Sequence, residues 1–300
     1  MDGGEKIKLA LDEARTLVLG AQVLLGFQLQ SAFQPRFDRL ADTAKGLSVG
    51  NLLLMVIVVG LLVTPAIHHR IVDHGDATSG SLRMATRVMA FALVPFAASL
   101  GISVYIGLES IFGKALAITG AAVASLSALW FWYGVEYVAL ACKTPNRMAE
   151  MHEKIPLIKK IDQMLTEARV ILPGAQALLG FQLIVVLSDS FERLPVQEQM
   201  VHGLALACVA LATVLLMAPA AYHRLVYGGE TSQGVYRIGG TFIMVATVAL
   251  AVGLAADTHV VVTKITGHEL AGIVSSLAAF FVLTGLWHIW PWLRSSARHP

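Results

Sequence analysis

Residues 20–29 read GAQVLLGFQL, and residues 174–183 read GAQALLGFQL. The offset is 154, and it holds without a gap on both sides of the pair. EAR at 13–15 returns at 167–169, and PA-x-x-HR at 65–70 returns at 219–224. Phe37, Arg39 and Leu40 return as Phe191, Arg193 and Leu194. From position 6 to 83 there are 29 identities in 78 positions, and from 84 to 142 the same register continues with 10 in 59. Chance does not produce the first stretch even in an apolar chain, so the sequence is a tandem duplication.

Each copy is built from long apolar runs. The chain has 300 residues, of which 56% are apolar and only 14% charged. Soluble domains carry about 25% charged residues. This composition excludes a disordered chain, a coiled coil and a cytosolic enzyme, and a net charge of +2 gives no reason to expect nucleic acid. A hydrocarbon core of roughly 30 Å needs about 20 apolar residues in helical form. Eight runs approach that length: about 16–33, 47–67, 88–108, 115–141, 170–187, 201–221, 238–256 and 269–290. The first and fifth are the weakest, being short and carrying glutamines. The runs are continuous, not alternating, so helices are expected in place of a barrel. The expected fold is all-α: a polytopic transmembrane bundle of two four-helix repeats.

Four crossings return a chain to its starting side, so the two repeats should run parallel, about an axis along the membrane normal. If the N-terminus lies on side A, that side holds 16 of the 22 Lys and Arg residues and side B holds six. By the positive-inside rule side A is cytoplasmic, with both termini there, in a cell membrane. Trp and Tyr crowd the side A ends of spans four and eight, at the headgroup level. The N-terminus mixes acids and bases and does not read as a signal peptide. Cys142 and Cys208 form no disulfide framework and no CxxC site.

The expected domains are a first repeat at 1–142, a linker at 143–166 and a second repeat at 167–300. Ile158, Ile161, Leu165 and Ala168 share a helical face with Lys159, Lys160 and Asp162 elsewhere. That pattern predicts a helix lying on the cytoplasmic interface near anionic headgroups. A continuous extension of the fifth span is the alternative.

Two groups of positions could carry function. Glu13, Arg15, His69 and Arg70 fall at one depth on consecutive antiparallel spans, and Glu167, Arg169, His223 and Arg224 repeat them. An acid on one helix should pair with His and Arg on its neighbour within each repeat. Such a cluster is a structural clasp, an anionic-headgroup site or a proton-handling site, since His titrates near neutrality. The second group is intramembrane: Gln22, Gln28, Gln176 and Gln182, with Glu136 in span four. Amides in hydrocarbon need partners on other helices or a cavity. Intramembrane acids are functional candidates. Ala117, Ala121, Ser125 and Ala128 form a small-residue packing stripe that should turn Glu136 into the bundle. Nucleophile elbows, paired catalytic carboxylates, one-face His pairs for a metal and phosphate loops are missing, so no enzyme, metal or cofactor is expected.

EAR-x-x-LPGAQALLGFQL at 167–183, followed by PAAYHR at 219–224, resembles a small family of bacterial membrane proteins of unknown function. Its members are single four-span units, some labelled sodium/proton antiporters. Repeat one departs from the pattern, with Leu19 where repeat two has Pro173 and His68 where it has Tyr222. The resemblance implies a fused pseudo-dimer, or a homo-oligomer of such chains, with membrane lipids as partners. The functional expectation is transport of a small ion or solute; the competitor is a structural or anionic-lipid-associated protein. Transport needs a polar seam reaching mid-membrane. A structural protein would show the amides bonded to one another in a dry bundle.

Overall fold

The computed structural model of the chain describes residues 3–74, 76–134, 152–153, 156–225 and 231–296. Eight long helices fall in two sets of four. Repeat one holds α1 (Gly3–Ser31), α2 (Asp42–Val72), α3 (Ser79–Phe112) and α4 (Lys114–Leu129). Repeat two holds α5 (Leu157–Val186), α6 (Val196–Leu225), α7 (Gln233–Thr266) and α8 (Glu269–Thr284). A π-helical turn, Gly285–Ile289, carries α8 into a last short helix, Trp290–Ser296. The fold is all-α, and the chain is a multi-pass membrane protein with an internal repeat. The one extended pairing among the described residues is a two-residue bridge, Ala77–Thr78 with His152–Glu153.

Among the described residues seven helical segments are long and apolar enough to cross a membrane: Asp42–Val72, Ser79–Glu109, Lys114–Tyr133, Leu157–Val186, Val196–His223, Gln233–Thr266 and Glu269–Ser296. Of the two weakest expected spans, the fifth qualifies and the first does not. At 29 residues α1 is long enough, but its glutamines and charged first turns dilute it.

Local chemistry sets the turns. Thr78 caps α3 by accepting from the Ser81 N–H at 3.1 Å, and Ser232 caps α7 by accepting from the Gly234 N–H at 3.1 Å. The third helix of each repeat stops at the same register. Gly113 has φ 80° and Gly267 has φ 69°, conformations that only glycine adopts cheaply.

The repeats meet along α1 and α5. Phe27 stacks on its own counterpart, Phe181, with ring centroids 4.6 Å apart. Gly26 faces Phe181, and Gly174 faces Gln22. Residue numbers rise together on the two helices, so they are parallel and in register, the relation expected of parallel repeats. Within repeat one, the expected small-residue stripe of α4 meets α3: a Cβ on Gly101 would strike Ser125 and the Ala121 carbonyl. The repeats are not equivalent elsewhere. Trp287, fully buried, donates from Nε1 to the Gly60 carbonyl of α2 at 2.8 Å, so the end of α8 packs across onto repeat one. Its counterpart Tyr133 instead donates to the Ala90 carbonyl within repeat one.

The predicted interfacial helix corrects to the alternative. Residues 157–169 are the opening turns of α5, unbroken through Val186. Ile161 and Met164 are buried there, because this face packs into the bundle and not onto a lipid surface.

Candidate functional site

Helix α5 carries a buried polar face along most of its length. Glu167, Gly174 and Gln182 lie seven and eight residues apart, within about 80° of one another at 100° per residue. The distance from Glu167 to Gln182 is about 22 Å at 1.5 Å per residue. Each of the three points meets a polar group from another helix.

At the side A end, Glu167 is 1% exposed. His69 Nδ1 lies 3.0 Å from its Oε1, and Arg70 donates from Nε to its Oε2 at 2.5 Å. Both partners belong to α2 of the other repeat. The expected pairing inside each repeat is therefore corrected to a pairing across the repeats. The cause is the in-register packing of α1 on α5, which leaves Glu13 and Arg15 exposed while α2 leans on α5. Arg70 also stands over the Tyr236 ring at 5.3 Å. Tyr236 OH and Lys160 Nζ both donate to the carbonyl of His74, at 2.9 and 3.1 Å. His74 holds a left-handed φ of 49°, a conformation secured by these two cross-repeat bonds. Lys160 completes the clasp with Asp76 at 2.8 Å. Arg169 points outward, half exposed and 3.9 Å from Asp162. His223 is half-buried with Nε2 unbonded, and the Arg224 side chain lies outside the described residues.

At the middle, Gln22 of α1 lies across Gly174. A Cβ on that glycine would fall 1.3 Å from Gln22 Oε1, so only glycine fits. Gln22 is fully buried, and neither amide atom has a hydrogen-bond partner among the described residues. Its counterpart Gln176, also a candidate for the intramembrane polar site, is exposed and forms no part of the seam.

At the side B end, Gln182 Nε2 donates to Asp257 Oδ2 at 2.6 Å. Asp257 Oδ1 lies 2.9 Å from His202 Nδ1, and His202 Nε2 lies 3.2 Å from the Gln182 carbonyl. All three side chains are buried. A carbonyl only accepts, so Nε2 carries a proton. The acid and base face each other in a closed setting, walled by Phe191 (5.1 Å) and Phe33 (6.5 Å). One turn nearer the end, Glu198 Oε1 lies 3.2 Å from His259 Nε2. So α6 gives an acid and then a histidine, while α7 gives a histidine and an acid in the opposite sense. Lys264, at the mouth, pairs with Asp38 at 3.3 Å and lies over Phe33 and Phe37.

The corresponding positions in repeat one are uncharged. Gln28 Nε2 donates to Ser99 Oγ at 3.3 Å, and Asn51 Nδ2 donates to Ser103 Oγ at 3.0 Å. Ser48 stands for His202, Ser103 for Asp257 and Ala44 for Glu198. A cavity of about 250 Å³ opens there, lined by Gln28, Ser48, Asn51 and Ser103 among others.

Sequence reasoning missed His202, Asp257, Glu198 and His259. The usable signal was Asp257 and His259 in an otherwise apolar stretch, with His202 and Glu198 opposite. Ending the seventh span at position 256 hid it, since α7 runs nine residues past Asp257. Glu136 lies outside the described residues. Among the described residues no three His, Cys, Asp or Glu side chains converge as a metal-binding group; the side B ionisable groups are arranged as two pairs.

No curated protein and no solved structure matches the chain. Residues 6–136 and, separately, 154–291 each match a family of unknown function, DUF6328, the second match beginning just before α5. The chain belongs to that family, which it contains twice over.

Proposed function

We propose that this protein moves protons across the membrane along the α5 seam, alone or exchanged for a small cation. The observation that carries the reading is the Gln182–Asp257–His202 triad, a buried acid and base inside membrane-spanning helices. Ionisable groups at such depth are costly and are placed where charge must pass. The amides are also not bonded to one another, as a purely structural bundle would require. Gln28 and Gln182 turn to separate partners, and Gln22 has none. Glu198–His259 is the entry pair at side B, Gln22 the midpoint, and Glu167 with His69 the exit at side A.

Orientation follows from charge. The excess of Lys and Arg on side A makes that face cytoplasmic, in a bacterial inner membrane. Lying in register with the spanning α5, α1 crosses beside it, so both termini are cytoplasmic. The chain acts as a carrier and not an enzyme, and as a fused pseudo-dimer.

The test is flux in liposomes containing the purified full chain and a trapped pH dye, with a potassium/valinomycin potential as driving force. Proton entry should exceed that of empty vesicles and fall at least tenfold in Asp257→Asn. External sodium dissipating a preset pH gradient would identify exchange for sodium. Intact incorporation with no proton flux under either condition refutes the proposal. The structural reading draws on the close Phe27–Phe181 and Glu167–Arg70 contacts. It predicts that Asp257→Asn alters thermal stability with no flux to lose.

A further inference from the structure

A cleft lies at the opposite end of the bundle from Glu167, between the α1–α2 turn and the α3–α4 turn. Its volume is about 850 Å³, and Arg36, Arg39, Lys114 and Glu109 line it. Three cations against one carboxylate leave it strongly positive. The other acids of the turn are turned elsewhere: Asp38 to Lys264 at 3.3 Å and Asp42 to Lys45 at 3.9 Å. This concentration is unusual on side B, which holds only six of the chain's Lys and Arg residues, three of them here. Arg39 and Lys114 have no acidic partner among the described residues, and both are exposed. Arg39 and Lys114 therefore present donors to an anion without first breaking a buried pair.

Its size and edge decide the kind of anion. A volume in the range of small-molecule sites is far more than a lone oxyanion fills. Phe112 (60% exposed) and Leu116 (58%) flank the lining residues Gly113 and Lys114 in the chain, and Leu116 shares the outward face of α4 with the exposed Val123 and Leu126. A cationic cleft at the level of the helix ends, opening onto an apolar helix face, fits a headgroup with its acyl chains. Arginine binds phosphodiester oxygens through paired N–H groups, and lysine adds a point charge.

We infer that the cleft formed by Arg36, Arg39 and Lys114 is a binding site for one anionic glycerophospholipid, its phosphate on the cations and its acyl chains along α4. The site is confined to repeat one. At the equivalent positions repeat two has Ser190, Arg193 and His268, so two of the three fixed cations are missing. It is independent of the proton seam and stands or falls without it.

The experiment is calorimetric titration of the detergent-solubilised full chain with dioctanoyl phosphatidylglycerol, dioctanoyl phosphatidylcholine and inorganic phosphate. The expected result is one site for phosphatidylglycerol, with phosphatidylcholine at least tenfold weaker. Each cation removed should weaken binding about fivefold, so Arg39→Ala with Lys114→Ala should lose roughly 25-fold. Arg193→Ala, the repeat-two counterpart, should leave affinity unchanged. Circular dichroism melting of each variant identifies any that fails to fold, and Arg36→Gln alone then serves as a milder probe of the cleft. Equal affinity for the two lipids, an equal loss in Arg193→Ala, or inorganic phosphate binding as tightly as phosphatidylglycerol overturns the inference.

Discussion

Glu13 and Glu167 are the same residue of the duplicated unit, and identical substitutions at the two should have unlike consequences. Glu167 is 1% exposed and holds two bases of the other repeat, with the Arg70 side chain itself only 9% exposed. Glu167→Gln removes the carboxylate and leaves a buried guanidinium uncompensated. Breaking one side of such a pair costs about 3–5 kcal/mol. Glu13 is exposed, and Glu13→Gln should change stability by no more than about 0.5 kcal/mol. The assay is thermal unfolding of the solubilised full chain, followed by tryptophan fluorescence. At about 2–4 °C per kcal/mol, Glu167→Gln should lower the midpoint by roughly 10 °C and Glu13→Gln by about 2 °C or less. Replacing both partners, Glu167→Met with Arg70→Met, should recover much of the loss, because no buried charge is then left alone. Equal shifts for Glu13→Gln and Glu167→Gln would falsify the cross-repeat clasp, and with it the in-register packing of α1 on α5.

The same contrast between copies tests the middle of the seam. Gly174→Ala places a methyl group inside Gln22 and should destabilise by about 1–3 kcal/mol through overpacking. Gly20→Ala, whose nearest neighbour is Phe96 at 3.9 Å, should be neutral in the same melt. Trp287→Phe removes the bond to the Gly60 carbonyl and should cost about 1 kcal/mol. A neutral Trp287→Phe would mean that α8 does not depend on α2 for its position.

The sequence was most legible where one physical constraint acts alone. Hydrocarbon demands long apolar helices, and the duplication was visible residue by residue, so helix count and parallel repeats could be read directly. At 157–169 the lysines suggest a headgroup surface, so the sequence favours an interfacial helix over a continuous extension of the fifth span. Lys160 in fact points to Asp76 and His74 of the other repeat. Contacts between the copies were not legible, since an exact repeat gives no sign of breaking its own symmetry. The triad illustrates a second limit. An acid near the end of an apolar run reads as the end of the span, and only a histidine one helix away shows that the helix continues through it.

Fusion of the two copies explains why symmetry can break at the α1–α5 contact. In a homodimer of identical units, every residue at the axis appears twice in the same environment. Gln22 lies over Gly174 with both amide atoms unbonded, an arrangement that costs about 1–3 kcal/mol. A symmetric pair would bury Gln176 over Gly20 as well, doubling the cost beside the Phe27–Phe181 stack. In one chain the second amide is released to the outside, and Gln176 is exposed. The same freedom extends outward from the axis. Positions that are Ser48 and Ser103 in one copy are His202 and Asp257 in the other, so one copy keeps a neutral cavity while the other holds a buried acid–base pair. A homodimer would carry two such pairs, with the desolvation cost of burying each. The fused chain needs only one, and the polar face of α5 leads from it toward the clasp at Glu167.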